Sequence, residues 1–447
     1  MRRIIYKELL EWKASLRRKP LILYGARQVG KTWLLKEFGK NEYKETLYIN
    51  FDTDKDVYKY FADNITPNHI IAGLKAHFGK DIVPQDTLLI FDEIQECQRA
   101  KDSLKYFNED APQYHIAAAG SFLGIAHGKF PVGQVDELTL RPLSFYEFLE
   151  AVGKSLLLES ILAFDKSVIP ALSITAEAKL KEYMYIGGMP EAVNAYIETG
   201  MTAGSLRETR TVQEKILSNY KNDFTKHIKG TDIPKVRMLW DTIPLHLAKE
   251  KKKFMYKEIR TGARAAAYEN ALDWLVNTGL VYKIDRVNTA RLPLAAYADR
   301  EAFKIYMLDT GLLSAAVGLD IRTFFDANPL VFSEFKGAIT EQFVLQELQT
   351  LQSRSSGRLP VCYWGRDEGK TEVDFVVQWH SEVVPIEVKS GIHKKSKSLE
   401  IYRELYNPVH AVRTTLNNFG TMNGLYSIPL YMVASFGQCL EKFSPGT

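Results

Sequence analysis

Eighteen residues, Pro20 to Glu37 (PLILYGARQVGKTWLLKE), constrain this chain more than any other stretch. Leu21-Ile22-Leu23-Tyr24 is a short apolar run that reads as a buried parallel strand. The chain then turns through Gly25, Ala26, Arg27, Gln28, Val29, Gly30, Lys31 and Thr32, passes Trp33, and continues as a helix with apolar Leu34, Leu35 and Phe38. This is G-x-x-x-x-G-K-[ST] after a strand and at the opening of a helix, the context that gives the pattern its chemistry. The glycines let successive backbone N–H groups curl around a polyphosphate, and the helix N-terminus adds partial positive charge. The pattern predicts a nucleotide cradle from Gly25 to Trp33. Lys31 would reach the β- and γ-phosphates, and the Thr32 hydroxyl would sit on Mg²⁺.

A second apolar run, Thr87-Leu88-Leu89-Ile90-Phe91, closes on Asp92 and Glu93. Such runs are common, and the glycine loop upstream is what gives this one meaning. Asp92 would hold Mg²⁺ through its water shell, and Glu93 would orient or deprotonate an attacking water. Further strands are expected at Thr46–Asp52 and at His115–Ser121. Ser121 either senses the γ-phosphate or caps a turn. Arg141, just before Pro142, either lends charge to a transferring phosphoryl group, in cis or from a neighbouring subunit, or is a solvated surface arginine. Strands alternating with helices predict a parallel sheet with the nucleotide at the carboxyl ends of its strands.

Length and composition bound the rest. At 447 residues the chain has room for about three domains. A net charge of +4 is too weak to predict nucleic-acid binding from bulk charge, so any such site must be a local patch. Cys97, Cys362 and Cys439 are far apart and odd in number, which suggests neither a disulfide framework nor a zinc site and fits a reducing cytoplasm. Charged Lys7, Glu8, Glu11 and Lys13 interrupt any apolar leader, while Ile4, Ile5, Leu9, Trp12 and Leu16 recur at helical spacing. No apolar run approaches membrane-spanning length. The expectation is a soluble cytoplasmic chain with no membrane partner.

Ser155 to Phe224 is helical in pattern, with a turn at Ile186-Gly187-Gly188-Met189-Pro190, and reads as a lid. Lys229 to Pro234 reads as a linker, and the basic run Lys249 to Lys253 follows further on. A short helix at Tyr256–Gly262 and a second one carrying Arg264, Tyr268 and Asn270 then precede strand-like runs at Gly279–Asp285 and Phe303–Leu308. Helix, turn, helix, strands is a winged-helix order, whose second helix either enters a DNA groove or serves packing and oligomerisation.

The C-terminal stretch carries a second constellation. Glu341 opens a helix, Asp374 lies on Glu372-Val373-Asp374-Phe375-Val376-Val377, and Glu387 and Lys389 lie on Val384-Pro385-Ile386-Glu387-Val388-Lys389. Strand alternation puts Glu387 and Lys389 on one face, and pairing of the two strands would bring Asp374 beside them. Carboxylates gathered at one spot repel unless a cation such as Mg²⁺ neutralises them. Cation and lysine could then activate water and stabilise a phosphoryl transition state, whereas the bland alternative is an exposed charged hairpin. His393, Lys394, Lys395 and Lys397 could track a phosphate backbone or lie in a solvated loop.

With these residues in hand, the chain resembles a bacterial and archaeal family that joins an AAA-type P-loop ATPase to a C-terminal domain of unknown function, DUF4143. The resemblance rests on GARQVGKT, LLIFDEIQ, Gly120-Ser121, LRPLSFYEFL, YIGGMPEAV, YMLDTGLL, EVDFVV and PIEVKSG. It implies an α/β fold: a parallel-sheet AAA-like core, a helical lid and winged-helix middle, and a C-terminal restriction-endonuclease-like domain of the PD-(D/E)xK type. On that pattern Glu341, Asp374, Glu387 and Lys389 match the nuclease positions, with Asp374 and Glu387 as metal ligands. The expected boundaries are 1–153, 154–228, 229–325 and 326–447. The expected activity is Mg²⁺-dependent ATP hydrolysis coupled to a DNA-interacting C-terminal region, with ATP and Mg²⁺ as cofactors and self-association allowed. The rivals are an ATP-gated metal-dependent DNA nuclease and a non-catalytic ATP switch that docks DNA or a protein.

Overall fold

The computed structural model describes residues 1–121, 133–228, 230–247, 253–256, 259, 264–325, 329–351, 360–366, 371–391 and 396–443; at 121, 226–227 and 329–334 only the backbone is described. His393, Lys394 and Lys395 lie outside the described residues, as do Lys229 and most of the basic run before Lys253. The chain forms two compact units, Arg2–Arg141 with Asn277–Leu280, and Pro142–Val276 with Val281–Thr447.

The first unit holds α1 (Tyr6–Ala14), β1 (Leu21–Gly25), α2 (Lys31–Glu42), β2 (Glu45–Asn50), α3 (Lys59–Ala62), α4 (Pro67–Phe78), β3 (Thr87–Asp92), α5 (Gln98–Asp110), β4 (His115–Ser121) and β5 (Asp136–Thr139). Its five strands pair in the order β2-β3-β4-β1-β5, and every pairing is parallel. β1 and β3 are buried along their whole length, as unbroken apolar runs between two covering layers must be. The register sets Asn50 opposite Asp92 and Gly25 opposite Ser121. The carboxyl ends of β1 to β4 therefore lie side by side, and the loop at Gly25–Gly30 opens there.

The second unit begins with α6 (Phe145–Ala151), α7 (Ser155–Leu162), α8 (Ile169–Ile186), α9 (Pro190–Glu198), α10 (Ala203–His227), α11 (Ile233–Leu247) and α12 (Ala265–Asn277). It continues with β6 (Val281–Val287), β7 (Ala298–Met307), α13 (Thr310–Ala316), α14 (Ile321–Phe325), α15 (Pro329–Leu351), β8 (Val361–Gly365), β9 (Glu372–Trp379) and β10 (Glu382–Val388). It closes with α16 (Lys397–Tyr406), β11 (Ala411–Thr415), β12 (Gly420–Met422), β13 (Leu425–Pro429) and α17 (Phe436–Phe443). One mixed sheet runs β12-β13-β11-β10-β9-β8-β6-β7.

Here the structure differs from the sequence reading. The hairpin expected to be a wing, β6 and β7, is not a separate layer: β6 pairs in parallel with β8, Arg286 opposite Tyr363 and Val287 opposite Trp364. Ala302 to Met307 are all buried, so both faces of β7 are covered. A two-stranded hairpin cannot bury both faces alone and is marginal in isolation, so it joins the neighbouring sheet.

Helix α15 is buried on all sides from Ala338 to Gln349, polar residues included. Gln342 exchanges hydrogen bonds with the Met307 backbone (2.9 and 2.6 Å). Gln346 accepts from the Thr310 N–H (3.0 Å) and donates to Tyr183 Oη (2.8 Å), and Glu347 accepts from the Phe145 N–H (2.9 Å). These side chains serve backbone groups that would otherwise be buried without partners.

Candidate functional site

Backbone shape builds the first site. A Cβ on Gly25 would stand 2.4 Å from the Leu140 carbonyl oxygen, so close approach of two chain segments requires the glycine. Gln28 and Gly30 take left-handed backbone (φ 66° and 96°), and Gly30 turns the chain into α2 as its N-cap. The first N–H groups of α2 lack intrahelical partners and suit an anion. Lys31 is 8 % exposed, and its ammonium donates to the Gly25 and Ala26 carbonyl oxygens, both at 2.9 Å. Burial pushes it down to about 8, against the raising effect of Glu93 and Asp92.

Thr32 Oγ1 donates to Asp92 Oδ2 at 2.8 Å, joining α2 to the end of β3. Tyr48 Oη donates to the same oxygen at 2.7 Å, and the Glu93 N–H donates to Asp92 Oδ1 at 3.1 Å. The Tyr48 ring carries the Lys36 ammonium 3.5 Å from its centroid. A hydroxyl and a buried carboxylate are hard oxygen donors, and at this separation they fit Mg²⁺. Glu93 also takes left-handed backbone, φ 50°, and the Gln95 side-chain amide donates to its Oε2.

Behind the loop, Arg3 is 6 % exposed and donates to the Val29 carbonyl oxygen at 3.1 Å and to the Arg141 carbonyl oxygen at 2.5 Å. Arg141 is thus brought up to the loop through its backbone. Ser121 ends β4 opposite Gly25. Trp33 is 47 % exposed on the first turn of α2. The sequence reading missed Tyr48, Gln95 and Arg3. Alternation along β2, with Leu47 and Ile49 buried, could have put Tyr48 and Asn50 on the other face; nothing local singles out Arg3.

The second constellation lies in the second unit. β9 and β10 pair antiparallel with Phe375 opposite Ile386, and Asp374 Oδ2 accepts from the Val388 N–H at 2.8 Å. Lys389 Nζ donates to Glu387 Oε1 at 2.7 Å; the Glu387 side chain is 6 % exposed, and its buried Oε2 meets no hydrogen-bond partner among the described residues. Glu341 Oε2 accepts from Tyr306 Oη at 3.2 Å. Lys304 on β7 is fully buried, pairs with Glu372 Oε1 and lies 4.8 Å from the Tyr363 ring centroid. Burial opposes its charge, but Tyr306, Glu372, Glu341 and Asp374 more than offset that and hold Lys304 above the usual lysine range. Burial likewise opposes the charge on Lys389, which Glu387, Asp374 and Glu341 raise.

As arranged, the two residues expected to hold a metal here are already engaged, Asp374 by the Val388 N–H and Glu387 by Lys389. No group of three or more His, Cys, Asp or Glu side chains among the described residues is disposed to hold a cation. Lysines and a backbone N–H already engage the acids. Lys304, Tyr306 and Glu372 were not foreseen as part of this site; Lys304 and Tyr306 alternate with apolar Phe303, Ile305 and Met307, a pattern that does not reveal that both faces are covered.

The parallel sheet and the loop at its strand ends define an AAA-type P-loop domain. Residues 17–149 match the family described as an AAA domain (AAA_14), and residues 336–433 match a domain of unknown function, DUF4143. Between them residues 177–323 match a further domain of unknown function, DUF8612, which runs across the lid boundary expected at 228. No curated protein matches the chain. Among solved structures, a Walker-type ATPase of Pyrococcus abyssi is similar at 16 % identity and TM-score 0.44, over 71 % of this chain and 95 % of that one. An Aeropyrum pernix ORC1 protein in complex with DNA is similar at 11 % identity and TM-score 0.31, over 70 % and 91 %. A Thermotoga maritima RuvB variant gives 13 % and 0.27, over 65 % and 89 %.

Among the described residues, no helix is long and apolar enough to cross a membrane, and Cys97, Cys362 and Cys439 are all buried free thiols.

Proposed function

We propose that the chain binds MgATP at Gly25–Trp33 and hydrolyses it, and that the second unit is a nucleotide-dependent docking module for DNA or a protein partner. One observation carries the ATP reading: Thr32 Oγ1 and Asp92 Oδ2 meet at 2.8 Å directly beside the glycine loop. Bound Mg²⁺ would supply charge neutralisation between the phosphates, held by the Thr32 hydroxyl and Asp92. Lys31 exchanges the Gly25 and Ala26 carbonyls for phosphate oxygens. Glu93 turns from Gln95 to orient the attacking water. Arg141 is the candidate for charge on the transferring phosphoryl group, in cis or in trans, and Ser121 for sensing it.

The test is ATP turnover by the purified chain. Lys31→Ala and Glu93→Gln should each lower the rate at least about 100-fold, with nucleotide binding retained in Glu93→Gln. An unchanged rate in Lys31→Ala overturns the reading.

Docking is favoured over cutting because Lys389 already partners Glu387, Lys304 partners Glu372 and a backbone N–H holds Asp374. DNA is the finer part of the proposal. Arg264 just precedes α12, whose exposed face carries Asn270 but also Glu269 and Asp273, a mixed sign that weakens phosphate contact along that helix. Turnover stimulated by single- or double-stranded DNA would support DNA as the partner. Mg²⁺- or Mn²⁺-dependent plasmid cleavage that vanishes in Asp374→Ala would instead establish the nuclease rival with Glu341, Asp374, Glu387 and Lys389 as its residues.

A further inference from the structure

Four carboxylates, Glu341, Glu372, Asp374 and Glu387, gather in the second unit with Lys304, Lys389 and Tyr306. Glu341 and Glu387 are buried while Asp374 and Glu372 are partly exposed, and carboxylates so close together need compensating charge. Among the described residues two lysines lie with them. Lys389 is a side chain from the end of β10, part-exposed at 29 % and bonded to Glu387. Lys304 differs in kind: it comes from β7, outside the motif that carries the nuclease resemblance, and its side chain has no exposure at all.

The geometry around Lys304 is built rather than incidental. Its strand is fixed on one side by the β6 ladder, with Ile284 opposite Lys304. On the other side Lys253 bridges to it, and the Phe254 N–H donates to the Phe303 carbonyl at 3.0 Å. Two residues on, Tyr306 points its hydroxyl at Glu341. One strand face thus delivers an ammonium to Glu372 and a phenol to Glu341. A lysine with no solvent contact is rare and is kept only where acids hold its charge.

We propose that Lys304 is the resident cation of this cluster, taking the charge-neutralising role that a divalent metal would otherwise take, so that the C-terminal site is closed to metal in the wild-type chain. The carboxylates would then be held as a lysine-locked structural cluster. This stands apart from the ATP reading, because it concerns only side chains of the second unit.

The test uses the nucleotide-free full chain and Mn²⁺ as the probe, read by the free-Mn²⁺ paramagnetic signal, with circular dichroism as the folding check. Wild type and Asp374→Ala should give the same Mn²⁺ isotherm. Lys304→Met should gain one Mn²⁺ per chain with affinity raised at least about tenfold, and Asp374→Ala added to it should remove the gain, whereas Lys304→Arg should behave as wild type. A wild-type Mn²⁺ site that disappears in Asp374→Ala overturns the proposal, as does a folded Lys304→Met chain that binds no more Mn²⁺ than wild type. If Lys304→Met does not fold, the comparison of wild type with Asp374→Ala decides alone.

Discussion

Thr32 Oγ1 and Tyr48 Oη donate to one and the same oxygen, Asp92 Oδ2, at 2.8 and 2.7 Å. A residue of α2 and a residue of β2 therefore converge on the last residue of β3. The convergence follows from the register: Tyr48 lies opposite Ile90 and Asn50 opposite Asp92, so the Tyr48 ring reaches forward along the sheet to the carboxylate. The other oxygen, Oδ1, takes the Glu93 N–H, which leaves the carboxylate with a single orientation. Such preorganisation matters at a metal site, where ligand orientation is set by the groups behind the ligand.

Tyr48→Phe removes one hydrogen bond to a charged acceptor, worth about 1.5–3 kcal/mol, and leaves the ring and its Lys36 contact in place. Because Tyr48 positions Asp92 without touching phosphate, the loss should fall on metal-nucleotide binding. The expected result is a roughly tenfold rise in KM for MgATP with kcat within about twofold, and a matching rise in the Mg²⁺ needed at fixed ATP. A pure kcat loss at unchanged KM would contradict this role.

Lys31 provides a pH signature. Its pKa is lowered to about 8 by burial, whereas paired with phosphate oxygens it would be held charged. At pH 7 it is mostly charged when free and charged when bound, so binding takes up only about a tenth of a proton on it. At pH 8.5 the free form is mostly neutral, so ATP binding should take up about three-quarters of a proton there. Calorimetry in buffers of different ionisation enthalpy measures that number. Uptake that is absent at pH 8.5, or equal at pH 7, would refute the assignment.

Arg3→Ala tests the strap behind the loop. One buried guanidinium holds both the Val29 and the Arg141 carbonyls, and its removal strands the buried Val29 acceptor at about 1–3 kcal/mol and leaves the part-buried Arg141 carbonyl to water. The variant should melt several degrees lower and bind ATP more weakly, although Arg3 itself contacts no nucleotide. Unchanged melting and unchanged affinity together would remove Arg3 from the site.

The glycine loop was legible because its chemistry is contiguous: a strand, Gly25 to Thr32 and a helix lie in one line of sequence. Asp92 was legible for a related reason, since an apolar run ending in acids behind such a loop has few other uses. Tyr48 and Arg3 were not, because each acts through a pairing that only the assembled sheet creates. A helix was read at Glu341, but not its burial: a helix buried on every side shows no amphipathic stripe, and the backbone groups served by Gln342, Gln346 and Glu347 come from distant segments. Lys304 was hidden because a strand's alternation does not tell which face meets water, and both faces of this one are covered.

Two motifs behind the family resemblance, YIGGMPEAV and YMLDTGLL, meet at Asp309, and their role there is structural. Asp309 is fully buried as the N-cap of α13, accepting from the Leu312 N–H (2.9 Å), the Gly188 N–H (2.6 Å) and Gln346 Nε2 (3.3 Å). A Cβ on Gly187 would stand 2.1 Å from Asp309 Oδ1, which explains the first glycine of the pair. Burial raises Asp309 to about 6, with its hydrogen bonds pulling the other way. Since the folded value lies above the ordinary 3.8, ionising Asp309 costs more in the folded chain than in the unfolded one. Its contribution to stability is therefore highest below pH 4, declines as pH rises to about 6, and is flat above that. A shift of about two units corresponds to about 3 kcal/mol. Asp309→Asn cannot titrate, so the stability of wild type minus that of the variant should fall by about this amount between pH 4 and pH 7, every other titration cancelling in the difference. Parallel urea unfolding of the two chains across that range measures it. A difference that stays flat, or that grows with pH, would mean Asp309 is already ionised at the acid end and held there by its three donors.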